Sequence, residues 1–474
     1  MIAAIALDLG STAIKAGLLD QHGILSGIVS QPAPPITAQG GQYECDALSY
    51  AEAADQVLKT CLAQTDALPP LGLCSQRSSF LIWERASGKP VTPMISWQDT
   101  RGAESCIALR AQEPLITGLT GLRLTPYFFA TKLRVVLQKN PAWLEPLQRG
   151  VWLVGTLDTF LIWRWSSGKY HLTDVSMAAR TLLMDIHQQR WSPVLCDLFE
   201  IPLDILPAIK PSTGLNIRLN NGLTLQASLA DQSAALLASV GEDRETALVN
   251  LGTGGFVIRY LSDDQRNSPP GYLHTLVYQD AAMRAHIAIE GTLNSIAAAL
   301  APYPVRDCKI GELAAEKDIF CLAEPSGVGA PYFRNDLGFR NDLGFRTDLG
   351  LQFSKSVAHL TQQQIACLLL EAIIFRVVRI VEEFHHIAPV MRVYLSGGLS
   401  ELAALQQGIA QCLPCEVLRL QQKDASLQGA AMLAVGQKNT RYQDDKKIQI
   451  SNINNSLTEK YQRWKNWLDA LLET

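Results

Sequence analysis

The sequence contains no run of eighteen or more uncharged apolar residues, so no membrane-spanning helix is expected. Basic tracts are absent too. The 41 Lys and Arg residues stand against 45 Asp and Glu, a net charge of −4, and neither nucleic acid nor an acidic membrane surface is an expected partner. The eight histidines show no HxxxH or HxH spacing, which argues against a zinc site. His385-His386 reads as a helix surface. The ten cysteines follow no repeating frame. Cys412-Leu-Pro-Cys415 has redox spacing but no second such pair beside it, and reads as two packed thiols. Reduced thiols in a chain this long point to the cytoplasm. The apolar N-terminus lacks the basic flank of a signal peptide and is interrupted by Asp8, so it reads as a first strand. A P-loop (GxxxxGK[ST]) and a Rossmann glycine fingerprint are both missing.

What is present is an ordinary apolar complement, 47% of 474 residues. At roughly 150 residues per domain this allows two or three cored domains. Residues 2–9 and 13–19 read as a hairpin, 49–64 as a helix behind a serine cap, and "LGLCSQ" and "SFLIWE" as further strands around the turn "ERASGKPV". This alternation predicts mixed α/β layers. "ASLADQSAALLASVG" reads as a helix ending at Gly241, and helices are predicted at 291–301 and 361–385. A strand at 391–396 runs into Gly397-Gly398. The stutter "RNDLGFRNDLGFRTDLG" at 334–350 is too short for a repeat architecture and reads as an expanded surface loop. Residues 438–455 read as a polar linker. After it, Leu457, Tyr461, Trp464, Leu468, Leu471 and Leu472 share one helical face, which should dock on the body.

Two stretches have the same shape. "IALDLGSTAIKAGLLD" (5–20) and "LVNLGTGGFVIRYL" (248–261) each join two apolar runs by a glycine–hydroxyl turn. Glycine lets backbone N–H groups approach an anion, the hydroxyls of Ser11 and Thr12 add donors, and Lys15 adds charge. Asp8 can hold Mg²⁺ directly or through water. Gly252, Thr253 and Gly254 offer a second phosphate clamp. Two such hairpins imply an internally duplicated fold with a cleft, gripping a nucleoside triphosphate from both sides.

These motifs resemble the two phosphate motifs of the actin/Hsp70/sugar-kinase superfamily. "SQRSSFLIWERASGKPVTPMISWQDTRG" (75–102) and "GTLDTFLIWRWSSGKYHLTDVSMAARTLLMDIHQQRWS" (155–192) are similar to segments of the FGGY carbohydrate kinases, closest in look to glycerol kinases. "TPYFFATKLR", "SLADQSAALL", "GVGAPYF", "SGGLSELAALQQGIAQCL", "SLQGAAMLA" and "YQRWKNWLDAL" continue the likeness over nearly the whole chain. The resemblance implies two ribonuclease-H-like α/β domains with an interdomain cleft. They are set at 1–240 (substrate and phosphate) and 241–437 (nucleotide), with a linker and docking helix at 438–474. It further implies an enzyme using ATP and Mg²⁺ on a small polyol or sugar. A homodimer fits this reading, while nucleic acid and membrane partners do not.

Carried over by matching residues, Asp231 takes the place of the catalytic base. Gln232, Arg77, Trp97 and Tyr127 take substrate-binding places, and Gly397 and Gly398 fall in the adenosine motif. Asp99 and Arg101 read as a structural ion pair. Ser78 departs from the pattern, because glycerol kinases carry Glu there. A serine offers fewer hydrogen bonds and no charge, which weighs against glycerol and makes room for a longer substrate. Ser396 stands where Asp is common. The competing expectations are a kinase for a pentulose such as xylulose or ribulose, and a non-catalytic actin-like ATP switch.

Overall fold

The computed structural model describes residues 1–261, 270–334, 345–347, 349–421, 424–437, 446–450 and 453–473. Two compact units are formed. The first comprises Met1–Gly241, His274–Ile287 and Lys423–Thr440; the second comprises Glu242–Leu273, Ala288–Gln422 and Arg441–Thr474. The boundaries expected from the sequence, after 240 and 437, treated each domain as one stretch. The opening segment of the first unit ends at Gly241, and both compact units also take up returning segments of chain.

The first unit opens with an antiparallel meander of β1 (Ile2–Leu9), β2 (Ala13–Asp20) and β3 (Leu25–Pro32). Ala4–Leu7 are all buried. Such a continuous apolar run, rather than an alternating one, marks a strand covered on both faces. α1 (Ala47–Leu62) begins where the Asp46 carboxylate accepts the Ser49 N–H at 2.6 Å, and it buries Tyr50, Ala54, Val57, Leu58 and Cys61. β4 (Leu71–Ser75) pairs parallel to β1. α2 (Phe129–Lys139) and α3 (Leu157–Trp165) follow. β5 (Thr213–Arg218) forms the sheet's edge beside β6 (Thr224–Ala230), and β6 pairs parallel to β4. The strand order is β5-β6-β4-β1-β2-β3. α4 (Asp231–Val240) leaves β6 with no intervening loop.

This corrects the reading of 227–241 as one helix. Ala227–Ala230 are strand residues paired with Gly72–Ser75. A short apolar run of small residues carries no period that separates a buried strand from a buried helix. The same ambiguity explains 291–301, where Gly291–Leu293 end a strand and only Ile296–Leu300 are helical.

In the second unit β7 (Thr246–Leu251) and β8 (Gly255–Tyr260) form a hairpin, and β9 (Ala285–Leu293) pairs with β8 from Ala288 onward. α5 (Gln362–Ile387) starts at a Thr361/Gln364 capping box, in which each side chain satisfies the other's free N–H. β10 (Arg392–Ser396) is parallel to β7, and β11 (Glu416–Arg419) is parallel to β10. After α6 (Ala425–Ala434), which belongs to the first unit, β12 (Lys446–Lys447) forms the antiparallel edge. Six neighbouring strands of this seven-stranded sheet, β9-β8-β7-β10-β11-β12, repeat the order β3-β2-β1-β4-β6-β5, with Leu273–Gln279 added beside β9; this is the duplication expected from the two glycine hairpins. α7 (Asn455–Leu472) buries Leu457, Tyr461, Trp464, Leu468 and Leu471 within the second unit, and Trp464 Nε1 donates to Cys321 O at 3.0 Å. Residues 335–344 and 348 of the stutter, and 438–445 and 451–452 of the polar segment, lie outside the described residues.

α6 touches the first unit's sheet and α4 backbone to backbone. A Cβ on Gly72 would lie 2.0 Å from Ala430 O, and one on Gly429 would lie 1.9 Å from Ala234 O. No side chain fits at either crossing. Gly72→Ala should therefore cost about 1–3 kcal/mol by overpacking. Calorimetry should show the unfolding midpoint lowered by several degrees, and an unchanged midpoint would contradict the close approach.

Candidate functional site

Strand register brings the first unit's chemistry together. Leu9 and Ala230 both pair with Ser75, so β1, β4 and β6 end level. Just beyond those ends come the Gly10 turn, Gln76-Arg77-Ser78 and Asp231-Gln232. The carboxyl ends of adjacent parallel strands are where open α/β sheets hold ligands.

Asp231 is the first residue of α4. The cap position belongs to Ala230, and the Asp231 carboxylate accepts the N–H of its immediate neighbour Gln232, at 2.7 Å, rather than one further along the first turn. It is therefore not an ordinary helix cap. Burial raises its pKa, against the opposing pull of Arg77 and Arg180. Arg77 donates to Gln232 Oε1. Asp8 lies beneath. Burial raises its carboxyl to about 6, while the Ser426 hydroxyl, donating to Oδ2 at 2.5 Å, pulls the other way. Its Oδ1 is buried with no hydrogen-bond partner among the described residues.

The turn after β1 is tied into the same framework. Tyr50 donates to Gly10 O at 2.7 Å, Gln76 Nε2 donates to the Tyr50 hydroxyl, and Ser79 Oγ donates to Gln76 Oε1 at 2.9 Å. Ser79 Oγ also accepts the Trp97 N–H at 2.9 Å. Ser11 is half-buried and Thr12 exposed. Lys15 is engaged by Asp424 at 2.7 Å. Trp97 and Tyr127 are 39% and 47% exposed, so neither ring is core, and both stand outside this hydrogen-bonded cluster. Ser78 has a left-handed backbone (φ 63°), and its hydroxyl donates to Arg180 O at 3.1 Å. Asp99 and Arg101 form the expected ion pair, with two contacts of 2.8 Å.

Several participants escaped the sequence reading. Arg180 lies inside the quoted segment 155–192, and its guanidinium stacks on Phe128 at 5.5 Å. Asp424 and Ser426 open α6, far along the chain from the residues they bind. Lys132 is fully buried and donates to Ser78 O and Ser96 O, both at 2.8 Å. It thereby fixes the segments carrying Arg77-Ser78 and Trp97.

In the second unit, Gly252-Thr253-Gly254 turns between β7 and β8, closed by a 2.8 Å bond from Gly252 N–H to Gly254 O. Asn250 pairs with Ser396, which sets Gly397 beside this turn. A Cβ on Gly397 (φ 85°) would lie 2.4 Å from Leu251 O. Gly397, Gly398 and Thr253 are exposed. Among the described residues no group of His, Cys, Asp and Glu forms a metal cluster, and no helix is long and apolar enough to cross a membrane.

Residues 3–249 match the N-terminal domain of the FGGY family of carbohydrate kinases, and residues 247–437 match its C-terminal domain. The chain belongs to the FGGY family of carbohydrate kinases. This kinase is 33% identical over 454 residues to a glycerol kinase of Gloeobacter violaceus, covering 91% of this chain and 87% of that protein. Its two-domain actin/Hsp70-like fold is similar to that of Plasmodium falciparum glycerol kinase with ADP, with a TM-score of 0.83, 21% identity and coverage of 99% and 98%. It is also similar to that of a xylulose kinase from Rhodospirillum rubrum, with a TM-score of 0.80, 20% identity and coverage of 99% and 98%. Membership in a kinase family implies ATP as phosphoryl donor.

Burial lowers the Lys132 ammonium to about 7, with Asp99 opposing and Arg101 assisting. Its ordinary value is about 10.4. Between those values the unfolded chain holds a proton that the folded kinase does not, so this group's contribution to stability rises with pH across that window and is lowest below it. Urea unfolding should show wild type gaining on Lys132→Met between about pH 6.5 and pH 9. A difference independent of pH would contradict the assignment.

Proposed function

We propose that this kinase transfers the γ-phosphoryl group of ATP to a primary hydroxyl of a small polyol, glycerol being the first candidate. The observation that carries the reading is the half-buried Asp231 at the end of β6, beside Arg77 and Gln232. In this reading Asp231 accepts the substrate hydroxyl's proton as that oxygen bonds to the γ-phosphorus and the bond to the bridging oxygen of ADP breaks. Arg77 and Gln232 orient the polyol hydroxyls, and the Trp97 and Tyr127 rings border the carbon chain. The Gly10-Ser11-Thr12 and Gly252-Thr253-Gly254 turns offer N–H and hydroxyl donors to the phosphates. Lys15, with Asp424 as its partner, adds positive charge near the first turn. Gly397 and Gly398 leave room for adenosine.

Asp8 would hold Mg²⁺, directly or through water, and its unpartnered buried Oδ1 suits that role. The ion, when bound, supplies charge neutralisation at the phosphates. The 33% identical relative carries the name glycerol kinase, which supports glycerol. A ketopentose is the second reading, and Ser78 favours it. Its hydroxyl is engaged by the Arg180 carbonyl, and it brings no carboxylate to a polyol.

Asp231→Asn should lower kcat by about 10²–10⁴-fold in a coupled ADP-release assay, with the protein still folded. Near-wild-type turnover would remove Asp231 as the base. In a panel of glycerol, xylulose and ribulose with ATP, glycerol is expected to give the highest kcat/KM. Turnover of a ketopentose without turnover of glycerol would invert the order.

A further inference from the structure

A cavity of about 610 Å³ opens on the first unit, away from every residue placed at the strand ends above. Its size falls within the range of small-molecule sites, roughly 300–1,000 Å³. α1, α3, the turn at Arg85-Ala86-Ser87 and the Asn220-Asn221 bend wall it.

Three observations give it a chemical character. First, Lys59, Arg85 and Arg164 all line it, and none makes an ion pair among the described residues. The one carboxylate there, Asp55, accepts the Trp165 indole N–H at 2.6 Å. Three cations face one acid, in a chain whose net charge is −4. Second, Trp163 lines the cavity and is only 6% exposed, yet its Nε1 has no hydrogen-bond partner among the described residues. A buried indole N–H is a donor that normally finds an acceptor. Third, two Ser-Gly-Lys turns pack on that same ring. Gly88 and Gly168 both take left-handed backbone, φ 72° and 80°. A Cβ on Gly88 would lie 2.9 Å from Trp163 Cζ3, and one on Gly168 would lie 3.6 Å from Nε1. The Ser167-Gly168 turn, which itself lines the cavity, thus packs on the part of the ring that carries Nε1.

We propose that this cavity is a second ligand site of the kinase, taking a small phosphate-bearing metabolite. The guanidinium groups of Arg85 and Arg164 match phosphate oxygens as paired donors, the Lys59 ammonium adds a point charge, and Trp163 Nε1 supplies the buried donor. Lys59 sits on α1, the helix whose Tyr50 holds Gly10 O, so a ligand here abuts the element that fixes the first glycine turn.

The test is calorimetric titration of inorganic pyrophosphate into the full-length kinase at low ionic strength. Saturating ADP is present, so that nucleotide-binding groups are already occupied. Wild type is expected to bind one equivalent. Arg85→Ala/Arg164→Ala should weaken the Kd by about tenfold or more, as loss of charge-assisted hydrogen bonds does, while kcat with ATP stays unchanged. Trp163→Phe keeps the ring and should weaken binding several-fold. Lys59→Gln, on the exposed side of α1, should also weaken it. Absence of binding by the ADP-loaded wild type would overturn the site, as would equal affinity in the double arginine variant.

Discussion

The level ending of three neighbouring parallel strands is the constraint on which the rest of the first unit's chemistry depends. β1, β4 and β6 are locked by main-chain hydrogen bonds at Leu9, Ser75 and Ala230. Asp8, Gln76-Arg77 and Asp231 are therefore neighbours whatever their side chains prefer. A slip of one residue in β6 would send the alternate face of that strand to the core and carry Asp231 away from Arg77. The buried identity of Ala227–Ala230 is thus as much a part of the site as the carboxylate that follows them.

Burial then acts on those carboxylates. Both Asp8 and Asp231 are raised by loss of hydration, and the charge of Asp231 raises Asp8 further. Arg77, Arg180 and the Ser426 hydroxyl offset part of this. The second unit settles its buried charge differently. Arg376 and Glu324, both about 1% exposed, pair at 2.7 Å and satisfy the surrounding main chain at Thr292, Ala330, Asn294 and Gly329. The first arrangement leaves a carboxylate oxygen, Asp8 Oδ1, open; in the second both Glu324 oxygens are engaged, while Arg376 Nη1 is buried without a partner among the described residues and the guanidinium lies over the Tyr332 ring. Open capacity in a buried group is what a ligand can use.

The glycine hairpins and the long helix α5 were legible from residues 5–20, 248–261 and 361–385 because their periods and turns are local. The likeness of many ordered motifs to the FGGY kinases carried the fold class and Asp231. Three things were not legible. The strand-to-helix switch at Ala230-Asp231 is hidden in an apolar run that fits either period. Lys132 and Arg180 act through main-chain carbonyls and a ring, so nothing in their neighbours' identities marks them. The pairings of Asp8 with Ser426 and of Lys15 with Asp424 span more than four hundred residues, a distance over which a single sequence carries no positional signal. Of the two Ser-Gly-Lys turns only the one within "ERASGKPV" was read as a turn, and only the fold sets both on one indole.

α6 reaches the first unit after most of the second has been passed. Its backbone contacts, with the sheet at Gly72 and with α4 at Gly429, cover a sheet whose last strand ended at Ala230. During synthesis at about 5–20 residues per second, roughly 200 residues of chain emerge from the ribosome between those events, on the order of 10–40 s. For that interval the leading sheet has one face uncovered and Asp8 without Ser426. The nascent protein is thus obliged to wait for its own closing piece, and any truncation before residue 434 would strand it in that unfinished condition.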